Sequence, residues 1–222
     1  MRPTPFYVRI TRPFFEAFAR TVLAIYCPLK VTGRENLPPL PFLLCSNHSS
    51  HMDSVVLMIA ARQRFSHFGL LAADDYFFRD PKVFRGFSCL VNLIPISRTP
   101  SASSLQRTLD SCRAFLEGGP RGLILFPEGT RSRTGVMTEF KRGGGMISVK
   151  LGIPLVPAYI AGTREAMPKG RFFPAPGRIT VRIGAPVYPE RDPAAANSTA
   201  YDNIVLEARR RIEELKGSVR GE

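Results

Sequence analysis

Three short apolar runs constrain the fold of this chain more than any other feature of the sequence. They are FLLCS (Phe42 to Ser46), GLILF (Gly122 to Phe126) and PLVPAYI (Pro154 to Ile160). Runs this short and this apolar are typical of strands that are buried on both faces. Helical patterns separate them, so the sequence predicts an α/β fold, a mostly parallel or mixed β-sheet covered by helices. A length of 222 residues predicts a single domain.

The helical patterns are amphipathic. In SASSLQRTLDSCRAFLEGG, one helical face carries Leu105, Leu109, Cys112 and Leu116, with serines before it and glycine after it. GGGMISVKLG predicts a shorter helix that ends at Gly152. YDNIVLEARRRIEELKG predicts a final helix, and the alternation in RITVRIG predicts a half-exposed strand with a basic outer face.

The proline cluster ENLPPLP divides the chain, because prolines at this density cannot continue a helix. It separates an N-terminal helical segment (1–40) from the core (41–186), and residues 187–222 predict a loop and a helix that pack on the core. In the first segment, the apolar run from Phe14 to Leu29 is interrupted by Glu16 and Arg20, which argues against a membrane-spanning helix. An amphipathic helix on the membrane interface and one packed on the protein's own core both fit this pattern.

The excess of basic residues limits the kinds of molecule that the protein is expected to bind. Lys and Arg number 31 against 18 Asp and Glu, and the resulting net charge of +13 predicts an anionic partner: nucleic acid, acidic lipid or a phosphorylated substrate. No nucleic-acid-binding signature accompanies the basic residues, which disfavours nucleic acid. The cysteines lack CxxC spacing and predict free thiols in a reducing compartment, buried as small apolar residues; they are Cys27, Cys45, Cys89 and Cys112.

The segment CSNHSSHMDS concentrates the candidate chemistry. It places two of the three histidines and an aspartate directly after a predicted buried strand, where open α/β sheets bind ligands. Three interpretations compete: a helix cap formed by the serines, a metal site built on HxxHxD, and a His48–Asp53 pair acting as a general base. The cap leaves two histidines unexplained. A metal site lacks a further ligand at a suitable spacing, so the base is favoured.

Four blocks in order resemble the motifs of the glycerolipid acyltransferase family, which contains the bacterial 1-acylglycerol-3-phosphate acyltransferases. NHSSHMD is similar to the family's NHxxxxD block, LFPEGTRS to its most specific block, and PLVPAYI to its fourth block. FKRG follows the third block as it does in the family. The second block, NLIPISR, is looser, with Asn92 where the family usually has glycine and Ser97 where it often has an acidic residue.

The resemblance implies a role for each matched residue. His48 would be the base and Asp53 would orient it, while His51 becomes a variable position between them. The residues implied in binding the acceptor's glycerol phosphate are Arg98, Glu128, Gly129, Thr130, Arg131 and Lys141. Those expected to shape the site are Asn47, Pro127 and Pro157. A salt bridge between Glu128 and Arg131 and a solvated Lys141 are the alternatives.

The resemblance implies transfer of a fatty acyl group from acyl-CoA or acyl-carrier protein to the sn-2 hydroxyl of 1-acylglycerol 3-phosphate, which forms phosphatidate without a metal or organic cofactor. The alternatives are the same chemistry on glycerol 3-phosphate or a lyso-aminolipid, hydrolysis of a thioester or lysolipid, and non-enzymatic binding of lipid or nucleic acid. Because a lysophospholipid acceptor lies in a bilayer, the resemblance favours the interfacial N-terminal helix. It also favours a peripheral location on the cytoplasmic face of an anionic membrane.

Overall fold

The computed structural model describes residues 6–77, 91–99, 101–132, 134–168, 170–171, 173–190 and 197–217. Its helices are α1 (Phe6–Ile25), α2 (Asp53–Ala60), α3 (Asp74–Phe77), α4 (Ala102–Leu116), α5 (Gly143–Leu151), α6 (Thr163–Ala166) and α7 (Ser198–Gly217). Its strands are β1 (Leu29–Thr32), β2 (Leu43–Ser46), β3 (Phe68–Ala73), β4 (Asn92–Ile96), β5 (Gly122–Leu125), β6 (Leu155–Ala161) and β7 (Ile179–Ile183). Short 3₁₀ helices cover Arg34–Asn36 and Phe65–His67.

Within the described residues, the seven strands form one mixed sheet in the order β1-β7-β6-β2-β5-β3-β4. The β6–β7 pair is antiparallel, and the other adjacent pairs are parallel. The predicted α/β fold with a mostly parallel or mixed sheet is confirmed. Because β2 lies between β6 and β5 and runs parallel to both, the segments after these three strands meet at one edge of the sheet.

Apolar side chains cover both faces of the sheet. Leu44 of β2 belongs to the cluster that includes Leu23 of α1 and Leu57 of α2. Its neighbour Leu43 faces the other way, into the cluster that includes Leu109 of α4. Alternate residues of a strand point to opposite faces, so the short apolar runs are buried on both sides, as predicted.

The predicted helices of the second half are confirmed as α4, α5 and α7. The residue that ends α5 is Gly152, which adopts a left-handed φ of 64°. Three strands were not predicted. The strand β4 covers the first five residues of the second block, NLIPISR, which carried no strand prediction. The strand β1 follows the N-terminal helix and pairs with β7, so residues before position 40 contribute an edge strand to the sheet. The strand β3 precedes the second block and pairs with β4 and β5.

The N-terminal helix begins earlier and ends earlier than the run from Phe14 to Leu29. Its stripe of Phe14, Phe18 and Ile25 points away from the protein, with exposures of 74%, 55% and 71%. The helix does pack on the protein's own core, but through a different face, on which Val8, Ala19 and Leu23 are buried. Across the described ranges, each helix is too short or too polar to cross a bilayer.

The described cysteines have reduced, buried side chains. Cys27, Cys45 and Cys112 are free thiols in the core, as predicted, while Cys89 lies outside the described residues. Burial raises the pKa of Cys112 to about 12. Burial also raises the pKa of Cys45, with a smaller effect from the charge of Glu128. Thiols this hard to ionise serve as apolar packing groups.

Candidate active site

The carboxyl end of β2 carries the His–Asp pair predicted from the sequence. His48 lies two residues beyond the end of the strand, and Asp53 is the first residue of α2. The chain between them folds back, so that His48 Nδ1 lies 2.8 Å from Asp53 Oδ2. The Asp53 side chain is fully buried, whereas the His48 side chain is 20% exposed. A buried carboxylate therefore holds one nitrogen of a ring that still reaches solvent.

The Asp53 carboxylate also determines which nitrogen of His48 carries the proton. Its Oδ2 accepts hydrogen bonds from the backbone N–H groups of Ser49, at 2.7 Å, and Ser50, at 2.8 Å. An oxygen that accepts both of these bonds acts as an acceptor toward His48 as well, so Nδ1 is the protonated nitrogen. The lone pair then lies on Nε2, which is the arrangement of a general base.

Asn47 and Phe126 fix the position of the His48 ring. The Asn47 amide bridges to β6: its Nδ2 donates to the Ile160 carbonyl at 2.9 Å, and its Oδ1 accepts from the Ile160 N–H at 2.8 Å. The ring of Phe126, which follows β5, stacks on the His48 ring with centroids 3.9 Å apart and an interplanar angle of 12°. The three strands that meet at this edge of the sheet thus hold the His48 segment jointly.

Glu128 lies behind His48 and does not line a pocket wall. Its side chain is buried, with an exposure of 3%. Oε1 accepts from the backbone N–H of His48 at 2.9 Å, and Oε2 accepts from the N–H and the hydroxyl of Thr138 at 2.9 and 3.1 Å. These bonds join the His48 segment to the chain that follows FPEGTRS. Since no Glu128–Arg131 ion pair occurs among the described residues, a salt bridge between them is the wrong alternative.

A pocket of about 230 Å³ opens beside His48. The predicted site residues that line it are His48, Arg98, Pro127, Gly129, Thr130, Arg131 and Lys141. In the part of the chain that the structure describes, the side chains of Arg131 and Lys141 make no hydrogen bond or ion pair. Two cations without an acidic partner among the described residues, beside His48, favour the binding of an anion. Apolar residues of the same wall include Leu70, Val91 and Phe126.

Gly129 determines where the Lys141 side chain lies. Its φ of 68° is left-handed, and a Cβ at this position would lie 3.1 Å from Lys141 Cε and 3.2 Å from Lys141 Nζ. The Lys141 backbone N–H also donates to the Pro127 carbonyl at 2.9 Å. Glycine therefore suits the left-handed turn, and a Cβ here would force the end of the lysine side chain to shift by a few tenths of an ångström.

Arg98 reaches the pocket from the end of β4, the edge strand. Its Nη1 donates to Asp75 Oδ2 at 2.8 Å, and the two side chains are 43% and 41% exposed. An ion pair this exposed contributes little, so a bound anion can compete for Arg98. Pro157 lies within β6, in register with Cys45, and does not line the pocket.

His51 also lines the pocket, which its place as a variable position in the motif did not predict. Desolvation lowers the pKa of His51 to about 4, with Arg131 and His48 adding to the effect and Asp53 opposing it. At neutral pH, His51 is therefore an uncharged polar group on the pocket wall. Among the described residues, no group of three His, Cys, Asp or Glu side chains could hold a metal ion.

A family model described as Acyltransferase matches residues 28–161, which include every one of the candidate site residues. The chain belongs to the acyltransferase family. Over 191 residues, this acyltransferase-family chain is 30% identical to a 1-acyl-sn-glycerol-3-phosphate acyltransferase of Chlamydomonas reinhardtii, covering 84% of this chain and 55% of that protein. It is 29% identical to a Pseudomonas aeruginosa protein of the same name over 163 residues, covering 72% of this chain and 60% of the relative.

The same fold occurs in a crystal structure of the 1-acyl-sn-glycerophosphate (LPA) acyltransferase PlsC from Thermotoga maritima. The TM-score is 0.64 at 26% identity, and the match covers 97% of this chain and 84% of the solved one. The curated relatives are longer: this acyltransferase-family chain spans 48% of an Arabidopsis thaliana relative and 64% of one from Limnanthes douglasii.

Two further contacts support the His48–Asp53 segment of this acyltransferase-family chain and were not predicted. Ser50 Oγ donates to the Met167 carbonyl at 2.8 Å, and Ser49 Oγ lies 3.3 Å from Oγ1 of the buried Thr163. Both partners lie in or beside α6, more than a hundred residues along the chain. The sequence predicted these serines only as candidate helix caps, because no local pattern identifies partners so far along the chain.

Proposed function

We propose that this chain transfers a fatty acyl group from an acyl thioester to the sn-2 hydroxyl of 1-acylglycerol 3-phosphate, forming phosphatidate. The observation that carries the proposal is the pocket in which His48 lies beside Arg131 and Lys141, two cations without an acidic partner among the described residues. A base and an anion site in one pocket suit an acceptor that bears both a hydroxyl and a phosphate. The names of the relatives support the same acceptor.

The reaction uses the two nitrogens of His48 differently. Nδ1–H donates to Asp53, and Nε2 takes the proton of the sn-2 hydroxyl as that oxygen attacks the thioester carbonyl. The tetrahedral intermediate then collapses with cleavage of the C–S bond. The thiolate leaves with the proton that Nε2 held, so the histidine returns to its starting state. Asp53 stabilises the transient imidazolium and keeps the ring in its orientation.

The acceptor's phosphate is held by the cationic wall. Arg131 offers a planar guanidinium for bidentate contact, and Lys141 adds a point charge across Gly129. Arg98 joins them when the phosphate competes with Asp75. Thr130 adds a hydroxyl to the same wall. Glu128 contributes indirectly, because its hydrogen bond to the backbone of His48 fixes the base relative to this wall.

The donor is acyl-CoA or acyl-carrier protein, and the enzyme works at an anionic membrane surface, as a peripheral protein on the cytoplasmic face. The outward stripe of α1 supports this location, since Phe14, Phe18 and Ile25 would enter the interfacial region of a bilayer. A net charge of +13 would add attraction to anionic lipid. The proposal requires no metal or organic cofactor.

Incubation of the protein with labelled acyl-CoA and a panel of acceptors tests the proposal. We expect phosphatidate from 1-acylglycerol 3-phosphate, and far less product from glycerol 3-phosphate or a lyso-aminolipid. His48→Ala should lower the rate by about 10³-fold or more while acceptor binding is retained, because the base is lost and the anion site is not. His67→Ala, outside the site, is the matched control. Free fatty acid as the sole product would identify a hydrolase instead.

A further inference from the structure

The first helix carries large apolar side chains on its outer face as well as on the face that is buried against the protein, where Val8, Ala19 and Leu23 lie. Its large apolar side chains Phe6, Phe14 and Phe18 face outward, with exposures of 77%, 74% and 55%. Its charged residues Arg12 and Glu16 face the protein. Arg12 is only 7% exposed. A charged side chain is costly to bury without partners, so the contacts of Arg12 contribute to how the helix packs.

Arg12 contacts the start of β4 through Asn92. Arg12 Nη1 donates to Asn92 Oδ1 at 2.8 Å. The Asn92 amide nitrogen donates in turn to the carbonyls of Ser66 and Phe68, at 3.1 and 2.9 Å. One asparagine therefore connects α1 to β4 and to the start of β3. Asn92 is also the position where the sequence departs from the family's usual glycine, which could make none of these bonds.

A second set of contacts holds the helix one and two turns further on. Glu16 Oε2 accepts from the backbone N–H of Phe65 at 3.1 Å. Arg20 donates to Glu16 Oε1 at 2.8 Å and to the Gln63 carbonyl at 3.0 Å. The charged residues that interrupt the apolar run therefore attach α1 to the segment between α2 and β3, where Phe15 also meets Phe65 edge-on.

The strand β4 joins this attachment to the pocket. Asn92 is its first residue, and Ile96, Ser97 and Arg98 at its other end line the pocket beside His48. The strand β4 thus contacts α1 through Asn92 and also contributes to the wall of the pocket. Hydrogen bonds at the start of β4 therefore couple the position of α1 to the position of the pocket.

We propose that Arg12 and Asn92 form a positioning pair that fixes the orientation of the catalytic pocket relative to the bilayer on which α1 lies. The inference rests on the proposed function, because it requires an acceptor presented by a lipid surface. The pair touches no reacting atom. The pair affects the alignment of the pocket with an acceptor whose acyl chain is embedded in the membrane. It does not affect the chemistry at His48.

Arg12→Met and Asn92→Gly test the pair, with Arg9→Met as the matched control, because Arg9 is an exposed arginine on the same helix. Turnover is measured with 1-acylglycerol 3-phosphate in two forms, a short-chain monomeric acceptor and a long-chain acceptor in phosphatidylglycerol vesicles. We expect both variants to lose about tenfold or more of kcat on the vesicle acceptor, with kcat on the monomeric acceptor and vesicle binding unchanged. The double variant should lose no more than either single variant, because the two residues act as a unit.

Equal loss on both acceptors, or no loss on either, overturns the positioning pair. Absence of acyl transfer by the unaltered protein contradicts the proposed function instead. Amide hydrogen exchange without lipid tests the positioning pair separately from the proposed function, because the exchange rates do not depend on activity. The pair predicts faster exchange across residues 6–25 in Arg12→Met and Asn92→Gly but not in Arg9→Met, with β2 and β5 unaffected. Unchanged exchange in α1 would overturn it.

Discussion

At the scale of single residues, the site combines carboxylates that are held by hydrogen bonds with cations that the described residues leave available, although the buried Asp53 Oδ1 has no hydrogen-bond partner among the described residues. Asp53 Oδ2 accepts three hydrogen bonds, and both oxygens of Glu128 are engaged by backbone or hydroxyl donors. Arg131 and Lys141, by contrast, reach the pocket without a protein partner among the described residues. The two carboxylates hold the His48 segment in one orientation, and the two cations, which have no acidic partner among the described residues, can bind an anion without first breaking an ion pair.

Gly129→Ala tests whether the Lys141 side chain needs the space that Gly129 leaves beside it. We expect a higher KM for the phosphate-bearing acceptor, because the new methyl group would lie 3.1 Å from Lys141 Cε and displace the side chain. Gly152→Ala is a close control, since Gly152 has a similar φ of 64° and open space around its Cβ position. Both variants should lose about 1–2 kcal/mol of unfolding free energy from left-handed strain. A rise in KM for both, or for neither, would contradict the predicted role of Gly129.

His51 makes stability depend on pH in a predictable direction. Its pKa is about 4 in the folded protein, and about 6.5 is usual for an unfolded chain. Between these values the unfolded state binds a proton that the folded state does not, so unfolding free energy falls as the pH falls below about 6.5. We expect His51→Asn to reduce this loss in urea unfolding compared at about pH 7 and about pH 5. His67→Asn is the control, and an unaltered pH dependence in His51→Asn would refute the assignment.

At the scale of elements, the site forms where β2 lies between β5 and β6. These three parallel strands bring segments from distant parts of the chain to one edge of the sheet: Asn47 and His48 after β2, and Phe126 to Arg131 after β5. The Asn47 amide continues the β2–β6 pairing beyond the end of the strand, since it bonds both the N–H and the carbonyl of Ile160. The Asn47 side chain thus makes the pair of hydrogen bonds that the backbone of a neighbouring strand would otherwise make.

Asn47→Ala should therefore destabilise the fold as well as the site. It would leave the buried N–H and carbonyl of Ile160 unpaired, at a cost of about 1–3 kcal/mol each. We expect a fall in unfolding free energy of that order in urea titration, together with a lower kcat as the His48 ring loses its support. Asn36→Ala, which removes a bond to the Ile183 carbonyl remote from the pocket, is the comparison for stability alone. Full stability in Asn47→Ala would contradict the bridging role.

At the scale of the whole molecule, the two sides of the sheet differ in what they expose. The side covered by α1 and α2 carries the outward aromatic stripe, while α4, α5 and α7 cover the other side. Truncation is a poor test of this stripe, because Val8, Ala19, Leu23 and Cys27 are buried in the same segment and β1 follows it. Point substitutions on the outer face leave that packing intact.

Phe14→Ser combined with Phe18→Ser should reduce sedimentation with phosphatidylglycerol vesicles, because two exposed aromatic side chains would no longer enter the bilayer interface. Leu206→Ser, an exposed apolar residue on α7, is the control for general loss of surface apolarity. Binding by the unaltered chain should weaken with salt, since part of it comes from the net charge of +13. Equal sedimentation of the double variant and the Leu206→Ser control would rule out α1 as the docking face.

Local patterns in the sequence were enough to predict the fold class and the contact between His48 and Asp53. Buried strands and amphipathic helices have periods that are visible locally, and His48 and Asp53 lie only five positions apart. The three missed strands have explanations in the same terms. In β4, Pro95 lies inside the run and disfavours a strand prediction. In β1, the burial pattern covers only four residues after a proline. In β3, a Gly–Leu–Leu–Ala–Ala run does not distinguish strand from helix.

The packing of the folded chain is what assigns each of these residues its partners, even within one motif. Glu128 and Arg131 belong to one motif, yet the first is buried against the His48 backbone and the second lines the pocket. The charges of α1 looked like interruptions of an apolar helix, and they prove to be its attachment to the core. The physical reason is that burial and hydrogen-bond partners are properties of a packed surface. No local pattern specifies which distant group will meet a given side chain there.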